Sequence, residues 1–191
     1  MIKKSLFLLL FIQLLGSPLL HAQHVAINNN VLFDVVGALS AGVEVPFSSK
    51  MSLEVYGSIR PWKRREQRVG KHWLMQAQYR LWPCQVMNGF FYGPYIHAGE
   101  FNIGGKDLLA RMLLKQPKQY RYEGWLIGAG MGVGYEYALA KHLNLGVEVG
   151  VGYTYIKYKQ FNCEVCGAPK DDSRKHYVGL SRLALSLIYV F

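Results

Sequence analysis

The final stretch of the chain, His176 to Phe191 (HYVGLSRLALSLIYVF), limits what it can fold into more than any other. Stepping back by twos from Phe191 gives Tyr189, Leu187, Leu185 and Leu183, while Ser186, Ala184 and Arg182 lie between them. Successive side chains of a strand point to opposite faces, so this period of two predicts a β-strand with one face in an apolar medium.

Seven earlier segments repeat the pattern. Val25 to Val36 sets Val25, Ile27, Val31, Phe33 and Val35 on one face, with Asn29 the exception. Leu39 to Phe47 sets Val43, Val45 and Phe47 against Ser40, Gly42 and Glu44, and Met51 to Arg60 sets Leu53, Val55 and Ile59 against Glu54, Tyr56, Ser58 and Arg60. His72 to Trp82 sets Trp73, Met75 and Tyr79 against Gln76, Gln78 and Arg80. Phe90 to Asn102 is apolar on both faces, and Pro94 predicts a bulge there. Tyr122 to Tyr137 alternates large apolar residues with Gly128, Gly130, Gly132, Gly134 and Glu136. Leu143 to Tyr155 does the same with Gly146, Glu148, Gly150 and Gly152.

Connections between these segments run short, short, long, short, long, short, long. If both termini face the periplasm, every periplasmic turn is short, and the long connections (Pro61 to Lys71, Ile103 to Arg121 and Ile156 to Lys175) are extracellular. That asymmetry is the transmembrane barrel pattern. The expected fold is all-β: an eight-stranded antiparallel up-and-down transmembrane β-barrel, the smallest common size, with an interior just wide enough for side chains to fill. A soluble β-sandwich gives no reason for the asymmetry.

The amino-terminal residues agree with export. Lys3 and Lys4, an apolar run from Leu6 to Leu15, and the ending Leu20, His21, Ala22 read as a signal peptide over 1–22, leaving 23–191 as one barrel domain. A transmembrane helix, the alternative, needs about 20 apolar residues. No Cys follows the cleavage site to carry a lipid anchor. The location expected is the outer membrane. Composition alone, 51% hydrophobic with 13 Tyr, 9 Phe and 4 Trp, does not separate barrel from sandwich.

By parity, Glu44, Glu54, Glu136 and Glu148 point into the barrel with Arg60, Arg80 and Arg182. Charges in a narrow, poorly hydrated tube must pair, because an isolated buried charge is costly. A structural salt-bridge plug is expected; a gated or proton-conducting lumen, or carboxylates in acid–base work, is the sharper alternative. The alternating glycines precede no helix, so they are not a phosphate loop.

The net charge of +10 gathers in the long connections. Pro61 to Lys71 carries Lys63, Arg64, Arg65, Arg68 and Lys71 against Glu66. Such loops attract the phosphates of lipopolysaccharide, either as simple anchoring or for a specific acidic ligand or protein; nucleic acid is not expected. Lys106 to Gln116 has helical apolar spacing, which fits a helix on the barrel rim or one that docks a partner. Cys163 and Cys166 (CEVCG) are expected as a local disulfide or an unpaired structural pair or, alternatively, as a redox pair or half a zinc site. No metal or other cofactor is expected. A lipid A modifying enzyme would need a nucleophile beside a His; Gly99 stands two residues after His97, where a His-x-Ser pairing would place the serine, and Ser181 and His176 lie five apart without an evident carboxylate.

HWLMQAQYRLWPC (His72 to Cys84), YRYEGWLIGAGMGVGYEY (Tyr120 to Tyr137) and CEVCG followed by the Phe-terminated strand resemble an uncharacterised, DUF3575-like family of outer-membrane-type β-barrel proteins from Gram-negative gut and oral anaerobes. The likeness covers the mature chain and carries no catalytic residues. It implies a role in surface appendages, with fimbrial or other surface proteins as partners; the function expected from the residues is that of a non-enzymatic barrel whose basic loops bind envelope components. The carboxyl end, Phe191 with Tyr189 and Leu187, is similar to the signal read by the barrel assembly machinery.

Overall fold

The computed structural model describes residues 25–60, 70–104, 121–161 and 169–191. The leader 1–22, the basic residues Lys63, Arg64, Arg65 and Arg68, the helical spacing in Lys106 to Gln116, and Cys163 and Cys166 lie outside the described residues. Eight antiparallel strands close into a barrel in sequence order. They are β1 (Ala26–Asn30), β2 (Leu39–Ser48), β3 (Met51–Arg60), β4 (Gly70–Leu81), β5 (Gly89–Gly104), β6 (Arg121–Ala140), β7 (Leu143–Phe161) and β8 (Pro169–Val190). The ring shuts where β1 meets β8, from Ala26↔Val190 to Asn30↔Ser186. The expected eight-stranded antiparallel barrel is therefore the fold.

Four expectations are corrected. The first segment is a strand only to Asn30, after which Val31–Val35 form a short helix, α1. Asparagines are poor strand formers and good caps: Leu32 N–H donates to Asn30 Oδ1. At the other end Gly37 takes φ +79° while Gly37 N–H donates to Asp34 O and Ala38 N–H to Phe33 O, a Schellman closure that a side chain would strain.

The second correction concerns Pro94. Strand β5 pairs with β6 from Gly89 to Gly104 without a shift. On the β4 side the ladder has partners at Gln78↔Tyr95 and Leu81↔Tyr92 in one register, with no partners between. Proline lacks an N–H, so it removes rungs here without bulging the strand.

Third, β8 does carry a bulge. Gly150 pairs with Arg182 and Val151 with Leu180, leaving Ser181 over. The extra residue inverts the alternation, so odd positions face out below it and even positions above it. Ser181 turns inward, where its hydroxyl shares a 2.5 Å hydrogen bond with Tyr95.

Fourth, much of the expected last loop is strand: β7 runs to Phe161 and β8 starts at Pro169, so Lys157, Lys159 and Arg174 stand on the wall. Lys71 likewise lies on β4.

The distribution of polarity is inside out. Ser52, Glu54, Tyr56 and Ser58 of β3 are buried, while Leu53, Val55 and Ile59 between them are exposed. The interior is layered. At the end near the termini, Ala26, Met87 and Ile188 form an apolar seal, with the Trp82 and Phe91 rings in tilted contact at 4.8 Å between centroids. At the far ends of β5 to β7, Phe101, Ile103, Tyr122 and Ile156 form a second apolar cluster. Charged residues lie between the two.

Glycines of β6 make this filling possible. Phe91, Tyr95 and His97 of β5 stand directly opposite Gly134, Gly130 and Gly128. A Cβ on Gly130 would lie 2.6 Å from the Tyr95 ring. Gly130→Val is therefore expected to destabilise the barrel by about 1–3 kcal/mol through overpacking. Gly57→Ala should be close to neutral, since the nearest atom to that Cβ is 3.9 Å away. Urea midpoints of the refolded variants check the contrast; equal midpoints would refute the packing account.

Candidate functional site

The most densely organised group of side chains is the interior charge cluster. Its charged members sit on inward positions of β2, β3, β4, β6, β7 and β8, and Glu44, Glu54 and Gln78 are direct cross-strand partners on β2, β3 and β4. Two carboxylates facing each other across a ladder repel. The repulsion is relieved from the next inward position of β4, where Arg80 reaches all of the carboxylates.

Arg80 Nη1 lies 2.5 Å from Glu44 Oε2 and 3.2 Å from Glu136 Oε1. Its Nη2 lies 2.9 Å from Glu54 Oε1 and 3.1 Å from Glu148 Oε2. Arg182 Nη2 approaches Glu54 Oε2 at 2.5 Å and Glu148 Oε2 at 2.8 Å. Neutral donors complete the shell: Ser52 Oγ to Glu44, Asn28 Nδ2 to Glu54 and Gln78 Nε2 to Glu148. Arg80 Nε donates to Gln78 Oε1, and its guanidinium stacks 4.4 Å from the Phe91 ring centroid.

Of the residues expected in the lumen, the barrel thus brings together Glu44, Glu54, Glu136, Glu148, Arg80 and Arg182. Arg60 is the exception. It ends β3 opposite His72, on the lining of a far-end cavity of about 720 Å³. Parity alone gives direction around a strand and says nothing of depth along the barrel, which is why Arg60 was grouped with the others. Asn28, Ser52 and Gln78 were not singled out, although each shares the inward parity of its strand.

Most polar atoms of the cluster are partnered, with Arg182 Nε and Asn28 Oδ1 among the exceptions. Each of its carboxylate oxygens has a partner except Glu136 Oε2. Among the described residues no group of three His, Cys, Asp or Glu side chains is arranged to hold a metal ion. The groups that a lipid-modifying reaction would use are engaged separately. Ser181 is bonded to Tyr95, His97 Nε2 lies 3.0 Å from Thr154 Oγ1, and His176 Nδ1 lies 2.5 Å from Tyr153 Oη. Cys84 is a free, exposed thiol in the β4–β5 turn. Phe191, Tyr189 and Leu187 lie on the exposed face.

Removing Arg80 leaves four buried carboxylates short of their shared cation, whereas removing Arg182 leaves its two partners still bonded to Arg80. Arg80→Ala should cost about 3–5 kcal/mol, the cost of an unpaired buried charge, and Arg182→Ala less. Urea denaturation of the refolded chain, followed by tryptophan fluorescence, tests the order. The reverse order, or no loss in Arg80→Ala, would rule out a structural plug.

The family described as a protein of unknown function, DUF3575, matches residues 7–191, and the chain belongs to that family. Neither the curated proteins nor the solved structures yield a match.

Proposed function

We propose that this DUF3575 protein is a non-enzymatic outer-membrane β-barrel with a plugged lumen, whose basic loops bind components of the cell envelope. The observation that carries this is the inside-out burial. Val147, Val149 and Val151 of β7, Ile127, Met131 and Val133 of β6, and Leu180, Leu183 and Leu187 of β8 are exposed, while Glu44, Glu54, Arg80, Glu136 and Glu148 are buried. In water such an arrangement forfeits the hydrophobic effect on both faces. In a bilayer the apolar band is solvated by acyl chains, and a closed ring leaves no strand edge in the hydrocarbon.

The sealed interior argues for an anchoring or interaction role over conduction. Transport across the outer surface is then left to no part of the lumen, and contact falls to the far end. There, Lys63, Arg64, Arg65, Arg68 and Lys71 would meet lipopolysaccharide phosphates, and fimbrial or other surface proteins are the candidate protein partners. Residues 1–22 would direct export, and the exposed Phe191, Tyr189 and Leu187 would be read by the barrel assembly machinery.

Gel migration of unboiled and boiled protein from an outer-membrane fraction tests the core of this reading. A heat-dependent shift is expected, because a closed barrel resists unfolding in detergent until boiled. Recovery in the soluble periplasmic fraction with no shift would overturn it. Deleting Phe191 is expected to lower the heat-shifted amount several-fold while leaving synthesis unchanged, measured on the same gels against total protein.

A further inference from the structure

We propose that the outer wall of β6 to β8 carries a binding site for the phosphate-bearing headgroup of an outer-leaflet glycolipid, formed by Lys157 and Arg174 above the rings of Trp125, Tyr153, Tyr155 and His176. It rests on the membrane-spanning orientation proposed above.

Three neighbouring strands change character at one rung. Ile127, Tyr155 and His176 are cross-strand partners, and the next outward rung is Trp125, Lys157 and Arg174. Below them the exposed face is aliphatic, with Val149, Val151, Leu180 and Leu183. The rings are in mutual contact. Trp125 and Tyr155 have centroids 5.5 Å apart, Tyr155 and His176 5.4 Å, and Tyr153 and His176 5.9 Å. The hydrogen bond between Tyr153 Oη and His176 Nδ1 fixes the two rings together.

Lys157 and Arg174 face each other across the ladder on the same side of the wall. Like charges so placed repel unless something anionic lies between or beside them. Asp172 Oδ2 is 3.6 Å from Lys157 Nζ, an open contact with half its carboxylate side chain exposed. That contact offsets one cation. No acidic side chain among the described residues pairs with Arg174. On the next rung Lys159 stands between Glu123 and Asp172, so the excess positive charge is local to Lys157 and Arg174.

An anion bridging two cations on a rung converts the repulsion into charge-assisted hydrogen bonds. The order along the wall, aliphatic then aromatic then cationic, matches that of an amphiphile with acyl chains, a sugar or glycerol body and a phosphate. The apolar surface continuous with the rings favours a lipid over free phosphate. The Ser181 bulge is part of the construction, since it turns His176 and Arg174 outward toward Tyr155 and Lys157.

The test uses the full-length chain inserted in nanodiscs of phosphatidylcholine containing bis-phosphorylated or dephosphorylated lipid A, with lipid retention read by native mass spectrometry. Unboiled gel mobility is taken on the same samples. The wild-type chain should retain the bis-phosphorylated lipid about tenfold or more better than the dephosphorylated one, as expected for loss of charged hydrogen bonds. The pair Lys157→Gln with Arg174→Gln should abolish that preference, Arg174→Lys should keep most of it, and Lys141→Gln, near the opposite end, should leave it intact. If the inserted Gln pair binds like wild type, or if inorganic phosphate displaces the lipid as well as excess lipid A does, the site is refuted while the spanning barrel stands. If no variant shows a heat-dependent shift, both fall together.

Discussion

A single guanidinium shared by four carboxylates is the interaction on which the rest of this barrel depends. Arg80 holds Glu44, Glu54, Glu136 and Glu148, which come from β2, β3, β6 and β7, so one side chain ties together strands on opposite sides of the ring. An apolar core could fill the same space, and replacing buried ion pairs with hydrophobic residues is often neutral. What apolar packing would not supply is a preferred depth. Carboxylates at fixed positions accept the guanidinium at one height, so register between distant strands is set by charge, and a slip of one residue would turn every member out of the cluster.

Much of the architecture was legible because the chain alternates so regularly. Leu143 to Tyr155 states its two faces residue by residue, and the strand there begins at Leu143 as expected. The places where reading failed are those at which a local interaction competes with alternation. Asn30 and Gly37 together are a helix start and stop, but the apolar residues Val31, Phe33 and Val35 between them also fit a strand. Ser181 bulges because its hydroxyl finds Tyr95, a partner 86 positions away that no local pattern reveals.

The candidate cluster was partly legible for the same reason. Parity assigns Glu44, Arg80 and Glu148 to the interior, and electrostatics requires that they pair, yet neither specifies which carboxylate meets which cation. Depth is set by the stagger of the ladders, a property of the closed ring. Large residues on β5 paired with glycines on β6 are a similar case. The glycines announce that space is needed, whereas the identity of Phe91, Tyr95 and His97 as its occupants follows only from register.

The seam between β1 and β8 is much shorter than the strands around it, with 5 residues in β1 against 22 in β8. Beyond its end the side chain of Asn30 continues the ladder, accepting from Leu185 N–H and donating to Leu183 O across 155 and 153 positions of sequence. Closing so long a loop forfeits more chain entropy than forming any hairpin between consecutive strands. Assembly therefore runs as a zipper of seven hairpins followed by one long-range clasp. With five paired rungs at the clasp and three between β1 and β2, the first strand is held by fewer rungs than any other, so the ring parts first beside it under load.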